Sequence, residues 1–203
     1  MKYIEFNNKR LGPLTQKQYK TLIKIINNFD DFNVLGENVY LYKDETKYIF
    51  KLDQLNLIHI PYVQRTKKID LNKKDYSLIL DVGASYGNFS IPLASQKTKI
   101  IALEYDLELF SCLVSNIKFN KKNTLVQPVL ISDDLFSEKQ ISPKNRYRTS
   151  SLIEILKIIQ SDTLQLIRFD KRIEEESVHK LLNNIDRKLL PENILHEEKY
   201  LKI

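Results

Sequence analysis

The chain predicts an α/β fold in which a mostly parallel sheet is flanked by helices, with a small α+β appendage at the N-terminus. Three observations carry this reading. An apolar run, Leu78-Ile-Leu80, meets a carboxylate at Asp81, then a turn with glycines at Gly83 and Gly87, then a segment able to become helical. From Ser77 onward, strand-like apolar runs alternate with helical periodicity, the pattern of a parallel sheet. Before Ser77 a helical stripe gives way to period-two alternation, the pattern of a hairpin. Residues 1–76 are therefore assigned to the appendage and 77–203 to a Rossmann-like domain.

Size and composition bound the possibilities. A chain of 203 residues accommodates one well-packed domain plus an appendage. Hydrophobic residues at 42% and charged residues at 29% exclude an intrinsically disordered chain. No apolar run reaches the roughly 18–20 residues that span a bilayer. The N-terminal Met1-Lys-Tyr-Ile-Glu-Phe6 lacks the apolar core of a secretion signal, so the cytoplasm is the expected compartment. The single cysteine, Cys112, rules out an internal disulfide and a multi-cysteine metal site. A formal charge of +6 admits an acidic partner, although an AT-rich genome alone enriches lysine.

In the appendage, residues 1–13 read as polar, with Pro13 as a stop. Thr15 is the expected N-cap of a helix whose apolar stripe is Tyr19, Leu22, Ile23, Ile26 and Phe29. Asp30-Asp31 and Gly36-Glu-Asn38 break that pattern. Val39 and Leu41 then oppose Tyr40 and Tyr42, Lys43-Asp-Glu45 turns, and Tyr48, Phe50 and Leu52 oppose Ile49 and Lys51, which predicts a hairpin. Leu55 to Val63 is read as extended, with His59 a structural histidine.

The core begins after the basic stretch Arg65–Lys74. Its first strand is Leu78–Val82, followed by a helix after Gly87 in which Phe89, Leu93 and Ala94 face the sheet; Pro92 fits only in that helix's first turn. The second strand, Lys99–Glu104, leads to a helix capped by Asp106 that buries Phe110, Leu113, Val114 and Ile117. Leu125–Ile131 is the third strand. Ser151-Leu-Ile-Glu154 is a capping box opening an apolar helix through Ile159. Thr163–Phe169 is the fourth strand, a helix runs from about Glu174 to Leu182, and Asn193–Leu201 is a fifth strand.

Open α/β sheets bind ligands beyond the carboxyl ends of their strands. Here the first four ends carry Asp81, Glu104, Ser132-Asp133-Asp134 and Asp170. Glu104 lies about 20 residues beyond Gly83, the spacing at which an acid grips ribose hydroxyls, and a carboxylate can accept from both. Ser85 stands where a dinucleotide fingerprint has its middle glycine, and no lysine follows Gly87 as in a P-loop. A ribose ligand with a cationic or zwitterionic tail and no phosphate fits better. His179 and His196 lack spaced ligand partners, so no metal is expected.

Four blocks in order, Asp81-Val-Gly-Ala-Ser-Tyr-Gly-Asn-Phe-Ser90, Ile101-Ala-Leu-Glu-Tyr-Asp106, Ser115-Asn-Ile-Lys-Phe-Asn120 and Pro128-Val-Leu-Ile-Ser-Asp133, resemble the S-adenosylmethionine-dependent methyltransferases, and within them the FkbM branch. The resemblance covers about Leu78 to Leu182. It implies the class I methyltransferase type of Rossmann-like fold, shortened here at the C-terminus, with S-adenosyl-L-methionine as cofactor. It places Asp81, Gly83, Ala84 and Ser85 at the methionine end, Gly87 at the opening of the helix, Glu104 on the ribose, Tyr105 beside the adenine, and Ser132 and Asp133 near the base. Asp170 would orient the cofactor or an acceptor hydroxyl and is the candidate catalytic residue. The fourth-strand block departs from the branch: Arg172 and Ile173 stand where it has a glutamate and a glycine.

The resemblance implies transfer to an oxygen of a sugar, glycan or other small metabolite. Two alternatives stand beside it. Lys144, Arg146 and Arg148 could meet RNA phosphates while Tyr147 stacks on a base, as an RNA methyltransferase would require. Arg172 and Ile173 also suit a catalytically degenerate relative that only binds.

Overall fold

The structure, a computed structural model, describes residues 2–6, 8–57, 76–131, 151–159, 163–196 and 199–201. Its N-terminal part contains two small sheets. Strands β1 (Lys2–Phe6) and β2 (Lys9–Leu14) pair antiparallel, and helix α1 (Gln16–Ile26) follows. Strands β3 (Asp31–Leu35), β4 (Asn38–Lys43) and β5 (Thr46–Lys51) form an antiparallel meander. Thr15 caps α1 as expected, in a reciprocal box with Gln18.

This part differs from the sequence expectation at several positions. The polar N-terminal stretch is a strand pair, because Ile4, Leu11 and Leu14 turn into the same core as Leu22, Ile25 and Ile26 of α1. Pro13 lies inside β2 rather than ending an element; a two-stranded ribbon leaves one side of each strand without a partner, so a missing N–H is tolerated. The buried face of α1 includes Ile25, whereas Ile23 is 41% exposed. The hairpin is one strand short of the sheet found: Asp31, in the expected break, opens β3, and Phe32 and Val34 alternate inward from it. Leu52–Leu57 is a 3-10 turn instead of extended chain, and the remainder of that reading, with His59, lies outside the described residues.

The main sheet matches its prediction closely. Strands β6 (Leu78–Val82), β7 (Lys99–Glu104), β8 (Val126–Leu130), β9 (Leu166–Phe169), β10 (Asn193–His196) and β11 (Lys199–Tyr200) lie in the order β11-β10-β9-β6-β7-β8. All neighbours run parallel except β10 and β11. The predicted fifth strand is thus two: β10 pairs parallel with β9, and β11 folds back on it. Helices α2 (Ser90–Leu93), α3 (Leu107–Phe119), α4 (Leu152–Ile158) and α5 (Glu175–Asn183) flank the sheet. Helix α2 is a single turn, shorter than the segment predicted, with Pro92 inside it and Ala94 already extended. Strand β9 is buried at all four positions and β6 at four of five, as strands covered on both faces must be.

The chain leaves β6 toward β7 and β8, then returns on the other side of β6 as β9. That reversal opens a crevice at the carboxyl ends of β6, β7 and β9. The three-stranded sheet is bound to this core through α3. Asn116 accepts the Ile49 N–H at 2.7 Å and donates to the Tyr86 carbonyl at 3.0 Å, and Asn120 accepts the Lys47 N–H at 2.9 Å. Tyr86, from the loop after β6, sits fully buried with its ring 5.5 Å from Tyr48 and 5.2 Å from Phe50.

Candidate functional site

The loop after β6 is pinned to β7. The N–H groups of Gly83 and Ala84 both donate to the Leu103 carbonyl at 2.8 Å. Its backbone then passes through three left-handed residues, Gly83 (φ +79), Ser85 (φ +56) and Gly87 (φ +91). Gly83 is required on two counts: its φ disfavours a side chain, and an added Cβ would stand 2.8 Å from the Asp170 Cβ. The left-handed turn at Ser85 aims its N–H at Glu104 Oε2, 2.6 Å away. Tyr86 points away from the crevice into the appendage core.

Three buried carboxylates and two arginines occupy the strand ends. Arg168, on β9, donates from Nη1 to Asp81 Oδ1 at 2.8 Å and from Nη2 to Asp170 Oδ2 at 2.9 Å. Ser90 Oγ donates to the other oxygen of Asp81. Arg172 donates from Nε to Asp170 Oδ1 at 2.9 Å, and from Nη2 to the Gly83 carbonyl at 3.0 Å and Glu104 Oε2 at 2.7 Å. Its guanidinium also lies 5.3 Å from the centre of the Tyr105 ring. Burial opposes the charge on both arginines, but the carboxylates beside them prevail and hold both guanidiniums above their ordinary range. Burial likewise pushes the Tyr105 phenol up, with Arg172 pulling the other way.

Asp81, Gly83, Ala84, Ser85, Gly87, Glu104, Tyr105 and Asp170 are therefore gathered at one end of one sheet. Ser132, Asp133 and the Lys144–Arg148 group lie outside the described residues; the last residue described before them, Ile131, donates its N–H to the Glu104 carbonyl at 3.0 Å. The work done by Arg168 is not apparent from the sequence, in which Arg172 shows only as a departure from the fourth-strand block. The available signal was a lone cation in a buried strand that is followed by Asp170 and pairs with the strand carrying Asp81. Among the described residues no group of three His, Cys, Asp or Glu side chains comes together in a metal-binding arrangement, and no helix is long and apolar enough to cross a membrane.

The residues present fit S-adenosylmethionine. Three carboxylates against two guanidiniums leave the cluster one negative charge, complementary to a sulfonium. Glu104 stands where a ribose acceptor belongs. A carboxylate has about four acceptor positions, and those of Glu104 are taken by the N–H groups of Tyr105, Asp106 and Ser85 and by Arg172.

The sheet order, the switch point and the acid at the end of β7 together define a class I S-adenosylmethionine-dependent methyltransferase domain. The profile of the TRM5/TYW2 methyltransferase domain matches residues 42–144, just over half of the chain, and the chain belongs to that family. The match points to this family and not specifically to the FkbM branch. No curated protein matches. Similar solved structures include M. jannaschii TYW2 in complex with AdoMet, at 18% identity over 74% of this chain and 57% of that one, with a TM-score of 0.49. Pyrococcus abyssi tRNA (uracil-54, C5)-methyltransferase with S-adenosyl-L-homocysteine is 16% identical over 79% of this chain and 34% of that one, with a TM-score of 0.49. A complex of aTrm5 with tRNALeu is 20% identical over 46% of this chain and 28% of that one, with a TM-score of 0.36. The chain thus spans little more than half the length of the longest-covered of these structures, and less of the others.

Proposed function

We propose that this chain is the methyl-transferring part of an RNA-modifying enzyme, with tRNA as the substrate class. The observation that carries the reading is the family match, since the Trm5 for which the family is named has been solved with tRNALeu. The charge of +6 and the Lys144, Arg146, Tyr147 and Arg148 group support the same partner. A cytoplasmic location agrees with an RNA substrate.

S-adenosylmethionine supplies an electrophilic methyl group, so the protein's own task is to hold it and to bring a nucleophile into line. Glu104 holds the ribose, the Gly83–Gly87 turn carries the methionine end, and Tyr105 flanks the adenine. Asp170 is tied to two arginines, and its part is to position them rather than to take a proton from the acceptor. Methylation of a sugar, glycan or small-metabolite oxygen is the second reading; the acids Asp170 and Glu175 in the fourth-strand block favour it through the FkbM resemblance.

Calorimetric titration with S-adenosylhomocysteine, beside a Glu104→Ala variant, tests the cofactor assignment. Binding by the wild type that Glu104→Ala abolishes is expected; no wild-type binding would overturn the enzyme reading. Labelled methyl transfer to pooled tRNA against pooled sugars and metabolites then tests the acceptor, with label in tRNA alone expected. Label in the small-molecule pool would reverse the order of the two readings. Binding without transfer to either would favour the degenerate relative.

A further inference from the structure

We propose that Arg172 is an internal occupant of the ribose position on Glu104, and that the cofactor binds by exchanging with it. The inference rests on the cofactor reading above but concerns a property that reading does not contain: a side chain of this protein that lowers its own affinity for the ligand.

The acceptor count at Glu104 requires it. Oε1 accepts from the Tyr105 and Asp106 N–H groups at 3.0 and 2.9 Å, and Oε2 accepts from the Ser85 N–H at 2.6 Å and Arg172 Nη2 at 2.7 Å. Three of those donors are backbone groups fixed by the turn and by the start of α3. The guanidinium alone can depart without unfolding an element. It also imitates the ligand, presenting a donor to Glu104 while its planar group rests against Tyr105, the residue assigned to the adenine side.

The surrounding main chain is held independently of that side chain. Arg172 donates its own N–H to Asp170 Oδ1 at 3.0 Å, the Ile173 N–H donates to the Asp170 carbonyl at 3.0 Å, and His196 Nε2 lies 2.8 Å from the Ile173 carbonyl. The turn after β9 therefore stays in place when the side chain swings. An exit exists as well: the Arg172 side chain is 16% exposed, against 6% for Arg168, which is enclosed between Asp81 and Asp170. The opposite assignment is that Arg172 stays and grips the cofactor's carboxylate with Nη1, which makes no hydrogen bond among the described residues.

The two assignments predict opposite signs. A ligand that must displace an occupant binds with an affinity reduced by the fraction of molecules already open, so removing the occupant raises affinity. Titration of S-adenosylhomocysteine into wild type, Arg172→Ala and Arg172→Met is expected to give about tenfold tighter binding by the variants, as for an open fraction of about one tenth. Equal or weaker binding by both variants, with the wild type still binding, would overturn the exchange and leave the cofactor reading standing. No binding by any of the three would refute the cofactor reading and this inference together. A measurement on the wild type alone covers variants that fail to fold. The Arg172 Nε–H resonance of 15N-arginine-labelled protein, protected from solvent exchange by Asp170 in the free state, is expected to lose protection when S-adenosylhomocysteine is added. Protection retained in the saturated complex would overturn the proposal.

Discussion

Asn116 and Ile49 are 67 positions apart, yet the Asn116 side chain accepts the Ile49 N–H at 2.7 Å, while Asn120 makes the same bond to Lys47 at 2.9 Å. Two asparagines four apart on a helix are spaced by about 6 Å. Two residues of a strand that turn the same edge outward are spaced by about 6.8 Å. The helix therefore replaces a fourth strand along the free edge of β5, and the edge is closed.

Replacing Asn116 by Leu takes away the acceptor of the half-buried Ile49 N–H and the donor to the carbonyl of the fully buried Tyr86. A loss of about 2 kcal/mol is expected from the two hydrogen bonds removed. Urea unfolding reads the total, and faster hydrogen exchange at the Ile49 amide would assign it to this edge.

The parallel core was legible because its signals are local. Apolar runs, helical stripes and the caps at Asp106 and Ser151 each fix one element without reference to another. The acids at the strand ends were legible for the same reason. Their partners were not, since Arg168 and Arg172 acquire their roles only when β9 is placed beside β6, across more than 80 residues of sequence. The asparagines of the third block gave a family resemblance but no hint that they serve a sheet edge. Tyr86 was hidden differently: it lies within the turn between Asp81 and Gly87, and the N-terminal core it enters explains an aromatic ring there.

Two glycines separate backbone strain from crowding. Gly36 (φ +59) and Gly83 (φ +79) are both left-handed, but an added Cβ meets nothing within 4 Å at Gly36 and reaches Asp170 Cβ at 2.8 Å at Gly83. Gly36→Ala is expected to cost only the backbone preference, about 1 kcal/mol. Gly83→Ala should exceed it by the cost of shifting Asp170, and should weaken S-adenosylhomocysteine binding where Gly36→Ala does not. Paired denaturation and calorimetry on the two variants check both statements.

Burial pushes the Cys112 thiol up to about 11 from an ordinary value of 9.0, with the carboxylates of Glu108, Asp106 and Asp53 adding to it. The unfolded chain thus loses this proton at a lower pH than the folded one. The thiol's contribution to stability is intact below pH 9 and falls as pH rises toward about 11. Tyrosines titrate in the same range, so the comparison that isolates the thiol is wild type against Cys112→Ala, whose stability should decline less over that interval. Alkylation near pH 8 should run about a hundredfold slower in the folded protein, because a thiol pKa of about 11 in place of 9.0 leaves about a hundredth of the thiolate.

Arg168 bridges two carboxylates in the buried core of the sheet. Its guanidinium joins Asp81 to Asp170 with all three side chains buried, and its Nε finds no partner among the described residues. Such a cation is poor evidence for stability by itself, but removing one member of a buried group leaves the others uncompensated. Arg168→Met should therefore cost about 3–5 kcal/mol. Arg168→Met combined with Asp81→Asn should cost less than the first change alone, because Asp170 keeps Arg172 and the second change removes Asp81, the charge left without its cation. A double-mutant cycle by urea denaturation measures the coupling. A double variant no more stable than Arg168→Met would show that Arg168 serves by packing, against Phe89 at 4.9 Å, rather than by charge.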